Sequence, residues 1–475
     1  MTMLTIADII QGLSLGGGIS PAGDASGQSI SCVVIDSRVV EPGDLFVALT
    51  GERTDGHNYV ADAFGRGAVA ALVERDLPLD CHAVDLRSPF QGRTLAALPV
   101  CLRVNSTLRA LQDVAGYWRA KFDVRVIGIT GSVGKTSTKE LVWAVLARQF
   151  RTLRNEGNLN NEIGVPLTLL QLGPGDERLV LEMGTYARGE IARLCELARP
   201  AVGIVTNVGP VHMERLGSLE AIADAKAELV EALPPDGVAV LNYDEPLVSA
   251  MARRTKARVL FYGLDSRAEL WADDIESEGL EGISFRMHYG RERLRVHVPL
   301  LGRHSVHTAL RAAAVGLAEG MAWDDILAGL QDREAQIRLV AVPGPQGSMI
   351  LDDTYNSSPA SAIAALNLLD ELDGRKIAVL GDMLELGSYE REGHQLVGRR
   401  AMDVAEILVT VGSRGRIIGQ EALKLGMSPS RVFLCDDNRA AIEYLQANIQ
   451  SGDYVLVKGS RGMKMEDIVA ALGKG

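Results

Sequence analysis

The sequence predicts an α/β protein of about three domains, at least two of them built on doubly wound or Rossmann-like parallel sheets. Three observations lead there. At 475 residues the chain exceeds an ordinary domain roughly threefold. From about Asp123 onward, apolar strand-like runs alternate with helical stretches, the pattern of helices packed on a parallel sheet. The stretch Val124–Glu140, VRVIGITGSVGKTSTKE, joins a buried strand to a helix through closely spaced glycines.

Composition narrows the function classes. Hydrophobic residues at 47% with charged residues at 23% supply ample core for globular domains. A net charge of −12 argues against a nucleic-acid-binding surface, while a local basic pocket would still suffice for small anionic substrates. Five scattered cysteines, with no Cys-x-x-Cys pair, read as free thiols of a reducing cytoplasm. The start MTMLTIADIIQGLSL lacks a basic n-region and carries Asp8, so no signal peptide is expected. No apolar run spans a bilayer, so stable membrane insertion is not expected either.

Residues 1 to 120 form the first predicted domain. Ile30–Ile35, Asp44–Ala48 and Ala68–Val73 read as short strands, Tyr59–Phe64 and Leu108–Phe122 as helices, and Pro42-Gly43 as a turn. At the mouth of the first strand, Asp36-Ser37-Arg38 offers a carboxylate, a hydroxyl and a guanidinium. Arg38 can grip a phosphate bidentately with Ser37 as a neutral donor, or form an ordinary surface ion pair; alone, the residues favour the ion pair.

Residues 121 to 334 form the second. Val124, Val126, Ile127 and Ile129 mark its first strand, Gly131-Ser132-Val133-Gly134 the turn, and Lys135-Thr136-Ser137 the start of a helix running to about Phe150. This is the layout of a phosphate-binding loop. Glycines let backbone N–H groups turn inward around phosphate oxygens, and the helix N-terminus adds its positive end. Lys135 would neutralise the β/γ-phosphates and the Thr136 hydroxyl would face Mg²⁺. The glycine spacing is irregular: Ile129 stands where the common motif has glycine, and Gly128 comes one residue early.

The loop segment NEGNLNNEIGVPLTLL carries Asn158, Asn160 and Asn161, which either cap the following helix or face a ligand. RLVLEM delivers Glu182 at the carboxyl end of a buried strand, where ligands bind in open α/β sheets and a carboxylate suits Mg²⁺. His212 follows the next strand on a similar loop, although a lone histidine there is more often hydrogen-bonded than ligating. In the amphipathic helix Leu219–Leu233, Lys226 reads by default as a solvated lysine. A helix at Glu245–Arg254, a strand at Arg258–Phe261, a polar β-rich section to about Val298, helices at His304–Glu319 and Trp323–Gln331, and a linker at Asp332–Gln336 complete the region.

Residues 335 to 475 alternate again, with strands near Met349–Leu351, Lys376–Leu380, Ile407–Val411, Val432–Leu434 and Tyr454–Val457 and a helix at Ala360–Leu372. No Gly-x-Gly-x-x-Gly follows the first of them. ILDDTYNSSPAS, VLGDMLELG and VKGSRGMKME place Asp353, Tyr355, Asn356, Asp382, Glu385, Lys458 and Arg461 after three strands, which gathers them on one edge.

Taken in order, IDSRVVEPGDLFVAL, TGSVGKTS, GNLNNEIGVPLTLL, LEMG, the His212 loop, the Lys226 helix and those last three segments resemble the Mur ligase family over nearly the whole chain. These are ATP-dependent amino-acid and peptide ligases of peptidoglycan precursor synthesis. The last three segments are closest to the branch whose acceptor is D-alanyl-D-alanine.

The resemblance implies an N-terminal domain for a UDP-N-acetylmuramoyl-tripeptide substrate, a central ATPase domain and a C-terminal ligase domain, working as a cytoplasmic monomer. It makes Lys135, His212 and Lys226 catalytic, with Thr136 and Glu182 on one Mg²⁺, His212 helping to bind a second, and Lys226 also in the metal set at the position the family carries as a carbamate. ATP would contact Gly131 to Ser137, His304, Arg338 and Asp353. Ser37, Arg38, Asn158, Asn160, Asn161, Tyr355, Asn356, Lys458 and Arg461 would face substrate. One departure stands out. The family reads Gly-Arg-His-Asn-x-x-Asn-Ala around the adenine, and here Gly302-Arg303-His304 continues Ser305-Val306-His307-Thr308-Ala309, exchanging both amides for hydroxyls. The rival readings are a related ligase with another acceptor, such as a folylpolyglutamate synthase-like enzyme, and a non-catalytic nucleotide-binding scaffold.

Overall fold

A computed structural model of the chain describes residues 3–13, 26–51, 54–87, 97–210, 213–332 and 339–473. Contact density divides the chain into two compact units, one of residues 1–128, 150–184 and 190–201, the other of 129–149, 185–189 and 202–475.

In the first unit, β1 (Val33–Val34), β2 (Leu45–Val47), β3 (Ala70–Val73), β4 (His82–Asp85) and β5 (Val100–Arg103) form a five-stranded parallel sheet in the order β1-β2-β3-β5-β4. Phe46, Ala71, Val73 and Cys101 pack on Val60 and Ala63 of the helix Val60–Gly65. Ser106 caps the helix Thr107–Arg119 through the Arg109 amide, satisfying one of its unpaired first-turn donors. The strands at 82–85 and 100–103 and the helix Ile6–Leu13 add to the elements expected here.

The next strands are β6 (Arg125–Thr130), β7 (Thr152–Arg154), β8 (Arg178–Glu182), β9 (Val202–Val205), β10 (Val238–Asn242), β11 (Arg258–Gly263), β12 (Leu270–Ser277), β13 (Ile283–Tyr289) and β14 (Glu292–Val298). They form a nine-stranded sheet in the order β14-β13-β12-β11-β10-β9-β6-β8-β7. Pairing is parallel from β9 through β12 and antiparallel across β12, β13 and β14, which resolves the polar β-rich section. The helix after the phosphate loop is Lys135–Leu146, ending before Phe150 because Arg148 and Gln149 bond three residues back and tighten the last turn. The helix expected at Glu245–Arg254 is one α-turn, Pro246–Ser249, continued as a 3₁₀ segment, Ala250–Arg254. His304 lies in a 3₁₀ turn before the helix Val306–Ala318.

The remaining strands are β15 (Val340–Pro343), β16 (Met349–Asp353), β17 (Lys376–Gly381), β18 (Ile407–Val411), β19 (Val432–Cys435) and β20 (Tyr454–Lys458). They form a six-stranded sheet, β15-β16-β20-β17-β18-β19, parallel but for the antiparallel edge strand β15. Alternate residues fill two cores. Ala378, Leu380, Leu408 and Leu456 pack on Leu366, Val397 and Ile418, while Ile377, Val379, Val455 and Val457 pack on Leu445, Met465 and Ile468. Burial on both faces explains why these strands read as unbroken apolar runs. Each of these Val, Leu, Ile and Met side chains contributes roughly 1.5–3 kcal/mol through removal from water. The helix predicted at Ala360–Leu372 is Pro359–Asp370, opened by a capping box between Ser358 and Ser361.

Candidate active site

The glycine-rich turn follows β6, and its shape is fixed by the loop after β9. Gly131 has φ +147°, and a Cβ there would lie 1.8 Å from Thr206 Oγ1, so both backbone and space require glycine. The Ser132 amide donates to the Asn207 carbonyl (3.1 Å) and the Val133 amide to Asn207 Oδ1 (2.9 Å). Thr206 Oγ1 donates to the Val133 carbonyl (2.7 Å), and the Gly209 amide donates to Ser132 Oγ (2.9 Å). Gly134, with φ +81°, leads into the helix, whose second turn is tied back by Thr138 Oγ1 to the Gly134 carbonyl (2.7 Å). Lys135 Nζ donates to the carbonyls of Gly131 (2.9 Å) and Ser132 (3.3 Å), so its cation lies against the turn. Thr136 is buried and Ser137 half-buried one residue further on.

Lys226 overturns its default reading. It is 2% exposed, because it lies four residues after Ile222 and three and four before Leu229 and Val230, on the buried side of the helix Leu219–Glu231. Burial, then the nearby Lys135 cation, push its amine down to about 7 from the ordinary lysine value. An amine that is substantially neutral near pH 7 is a nucleophile toward CO₂, which the charged form is not.

In the first unit, Glu182 closes β8 and is 3% exposed. Asn160 Nδ2 donates to Glu182 Oε1 (2.9 Å). Asn155, which the sequence reading passed over, clamps the backbone at this residue. The Glu182 amide donates to Asn155 Oδ1 (2.9 Å), and Asn155 Nδ2 donates to the carbonyls of Leu159 (2.8 Å) and Glu182 (3.1 Å). The three predicted asparagines therefore divide their work. Asn160 orients Glu182, Asn161 Oδ1 caps the helix Gly164–Leu169 by accepting from Ile163 and Gly164, and Asn158 is exposed.

Asp36 and Arg38 form a bidentate pair, with Arg38 Nε 2.9 Å from Oδ1 and Nη2 2.6 Å from Oδ2. The Arg38 guanidinium beside Asp36, then the Arg38 amide, hold that carboxyl at about 2. The Arg38 side chain is 83% exposed, while Ser37 is buried. The local ion pair is present, and it leaves the guanidinium's remaining donors facing outward.

In the C-terminal sheet, register sets Asp353 opposite Lys458 at the carboxyl ends of β16 and β20. Lys458, 2% exposed, donates to Asp353 Oδ2 (2.6 Å) and to the Asn356 carbonyl (2.9 Å). Arg461 stands 5.6 Å over the Tyr355 ring. Both line a cavity of about 300 Å³ with Leu339, Asp352, Asp353 and Glu466. Asn356 is exposed. Asp382 instead accepts the Arg414 and Gly415 amides at the start of the helix Gly412–Lys424, filling with its own carboxylate the place where an anion would bind. Asp353→Ala should cost about 3 kcal/mol of stability in urea unfolding, because it strands a buried lysine cation. A change below about 1 kcal/mol would show that water screens the pair.

His304 is exposed near Asp353 and Lys458. His212 and Arg338, two of the expected site residues, lie outside the described residues. No trio of His, Cys, Asp or Glu among the described residues could hold a metal by itself. Thr136 in one unit and Glu182 in the other each carry a hard oxygen of the kind that suits Mg²⁺, an ion that takes few carboxylates and relies on phosphate oxygens and water.

A chain with this phosphate loop, this buried lysine and a largely parallel C-terminal sheet carrying Asp353 and Lys458 at its strand ends belongs to the Mur ligase family. The family's catalytic domain matches residues 29–118, the Mur ligase middle domain residues 129–316, and the Mur ligase glutamate ligase domain residues 337–461. Within the family it is similar to the UDP-N-acetylmuramoyl-tripeptide–D-alanyl-D-alanine ligase of Bacillus subtilis, 39% identical and covering 93% of this chain and 92% of the relative. The Escherichia coli enzyme of the same name is 34% identical over 99% of this chain and 98% of its own. Among solved structures, MurF from Acinetobacter baumannii superposes with a TM-score of 0.86 at 29% identity, covering all of both chains. MurF ligase from Thermotoga maritima in complex with ADP gives 0.77 at 27%, over 93% of this chain and 97% of that one. A Mycobacterium tuberculosis folylpolyglutamate synthase, 20% identical with a TM-score of 0.61 over 77% of this chain and 94% of its own, shares the fold.

Proposed function

We propose that the chain joins D-alanyl-D-alanine to UDP-N-acetylmuramoyl-tripeptide at the expense of ATP, forming the pentapeptide precursor of peptidoglycan. What carries the acceptor is the full-length similarity to relatives named for that reaction. The DDTYNSSP loop after β16 is the sequence feature that agrees with it. ATP phosphorylates the terminal carboxylate of the tripeptide. The dipeptide amine attacks the acyl phosphate, and the tetrahedral intermediate collapses with loss of phosphate.

Lys135 holds the γ-phosphoryl as it transfers, so positioning and electrostatics dominate the chemistry. Thr136 and Glu182 would hold one Mg²⁺, His212 would help to hold a second, and a carbamate on Lys226 would add an anionic oxygen to the metal site; when bound, the two ions would supply charge neutralisation at the phosphoryl oxygens. The carbamate forms when the neutral Lys226 amine adds CO₂ and loses a proton, which turns an unfavourable buried cation into an anionic oxygen donor. Asn160 keeps Glu182 aimed. Gly131 to Ser137, His304, Arg338 and Asp353 serve the nucleotide. Ser37 and Arg38 serve the UDP end, and Asn158, Asn161, Tyr355, Asn356, Lys458 and Arg461 the peptides. Domain limits at 120 and 335 fit this division of labour. A cytoplasmic monomer is the form that goes with this reading, and the five cysteines are free thiols, as a reducing compartment keeps them. No helix among the described residues is long and apolar enough to cross a membrane.

Phosphate release from ATP should require both UDP-N-acetylmuramoyl-tripeptide and D-alanyl-D-alanine. Turnover with a single amino acid in place of the dipeptide would overturn the acceptor, and no turnover with any acceptor would favour a scaffold.

A further inference from the structure

Arg311 lies one turn into the helix Val306–Ala318, just beyond the two hydroxyl residues that stand where the family carries asparagine. It is 4% exposed. Nη2 donates to Thr308 Oγ1 (2.9 Å), while Nη1 donates to the Tyr262 hydroxyl (3.3 Å) and the Thr206 carbonyl (3.4 Å). The Tyr262 ring centre is 5.9 Å from the guanidinium carbon. Nε is buried with no acceptor among the described residues, and no carboxylate there forms an ion pair with the group. Every partner is neutral.

A permanent buried cation ordinarily faces an anion, because its desolvation is offset by little else. The other side of this guanidinium is the phosphate loop: a Cβ added to Gly134 would lie 3.4 Å from Nη2. Thr206, which it holds by the carbonyl, is also the residue whose hydroxyl shapes the turn at Val133. Its charge reaches neighbouring groups, since burial and then Arg311 push the next-door His307 down to about 4.

We propose that Arg311 is a positioning residue of the nucleotide site, a fixed cation behind the phosphate loop whose missing counter-charge is the bound polyphosphate. Thr308 is then an anchor for Arg311. The pair shifts recognition from the base, where Ser305 and Thr308 offer no amide, to the phosphates. The inference rests on the nucleotide reading given above and deepens it.

The test is calorimetry on the full chain with ADP, inorganic tripolyphosphate and UDP-N-acetylmuramoyl-tripeptide, for wild type, Arg311→Met and Arg311→Gln. Both variants should weaken ADP and tripolyphosphate about tenfold or more, leave the UDP substrate unchanged, and keep the ligand-free Tm level or higher. A structural role would lower Tm and spare the polyphosphate. Unchanged affinity for tripolyphosphate overturns the proposal, and so does loss of the fold in both variants. If wild type binds neither ADP nor tripolyphosphate, the nucleotide reading itself fails.

Discussion

Lys135→Ala is expected to lower ATP turnover by at least about a thousandfold while the protein stays folded. The amine is the cation carried by the phosphate loop itself, and it donates to the Gly131 and Ser132 carbonyls. Both acceptors lie in a turn that Thr206, Asn207 and Gly209 hold independently, so its loss leaves the loop framed. Alanine at the first position of the helix also preserves helix propensity. Single-turnover phosphate release, read beside a thermal melt, separates the two effects. Turnover within tenfold of wild type with an unchanged melt would refute the assigned role. A second consequence follows from the charge alone: without Lys135 the Lys226 amine loses a repelling neighbour and should titrate higher.

What was legible in the sequence tracks how locally each feature is encoded. The strand–glycine–Lys-Thr–helix run is local, and its glycine requirement is visible as a motif before the Thr206 clash explains it. The strands of the last sheet were legible because burial on both faces leaves unbroken apolar runs. The strand His82–Asp85 was not, since only Val84 of its four residues is buried. Lys226 shows a different failure. Its place between Ile222 and Leu229 puts it on the apolar side by spacing alone, but a lysine's usual solvation outweighs that pattern in the sequence, and only the fold shows the side chain buried. Asn155, Asn207 and Arg311 were invisible for a physical reason: each has a defining partner far away in sequence, 27 residues for Asn155, 74 for Asn207 and 105 for Arg311. The Asn158, Asn160 and Asn161 cluster fell between these cases: cap or ligand contact was legible for the group, but not which residue caps, which guides the carboxylate and which is exposed.

Lys226→Met should cost activity at least about a hundredfold and yet raise stability at neutral pH. In the unfolded chain the amine titrates near 10.5, and in the folded chain burial brings it down to about 7. Below about 7 both states hold the proton, and the folded state bears the whole penalty of a buried cation beside Lys135. Between about 7 and 10.5 the unfolded state binds more protons, so stability rises with pH, and above that window the penalty is gone. Wild type in CO₂-free buffer should therefore gain more stability between pH 7 and 9 than Lys226→Met, which has no such group. CO₂ supplies the other way out of the penalty, through the anionic carbamate. Activity of wild type should fall as buffers are stripped of CO₂ and return on adding bicarbonate, with a matching mass increment in the intact protein. Lys226→Met should ignore bicarbonate. Full activity in CO₂-free buffer with an unmodified lysine would leave the amine without the proposed chemistry, and a Met variant less stable than wild type at pH 7 would mean that an unseen anion already balances it.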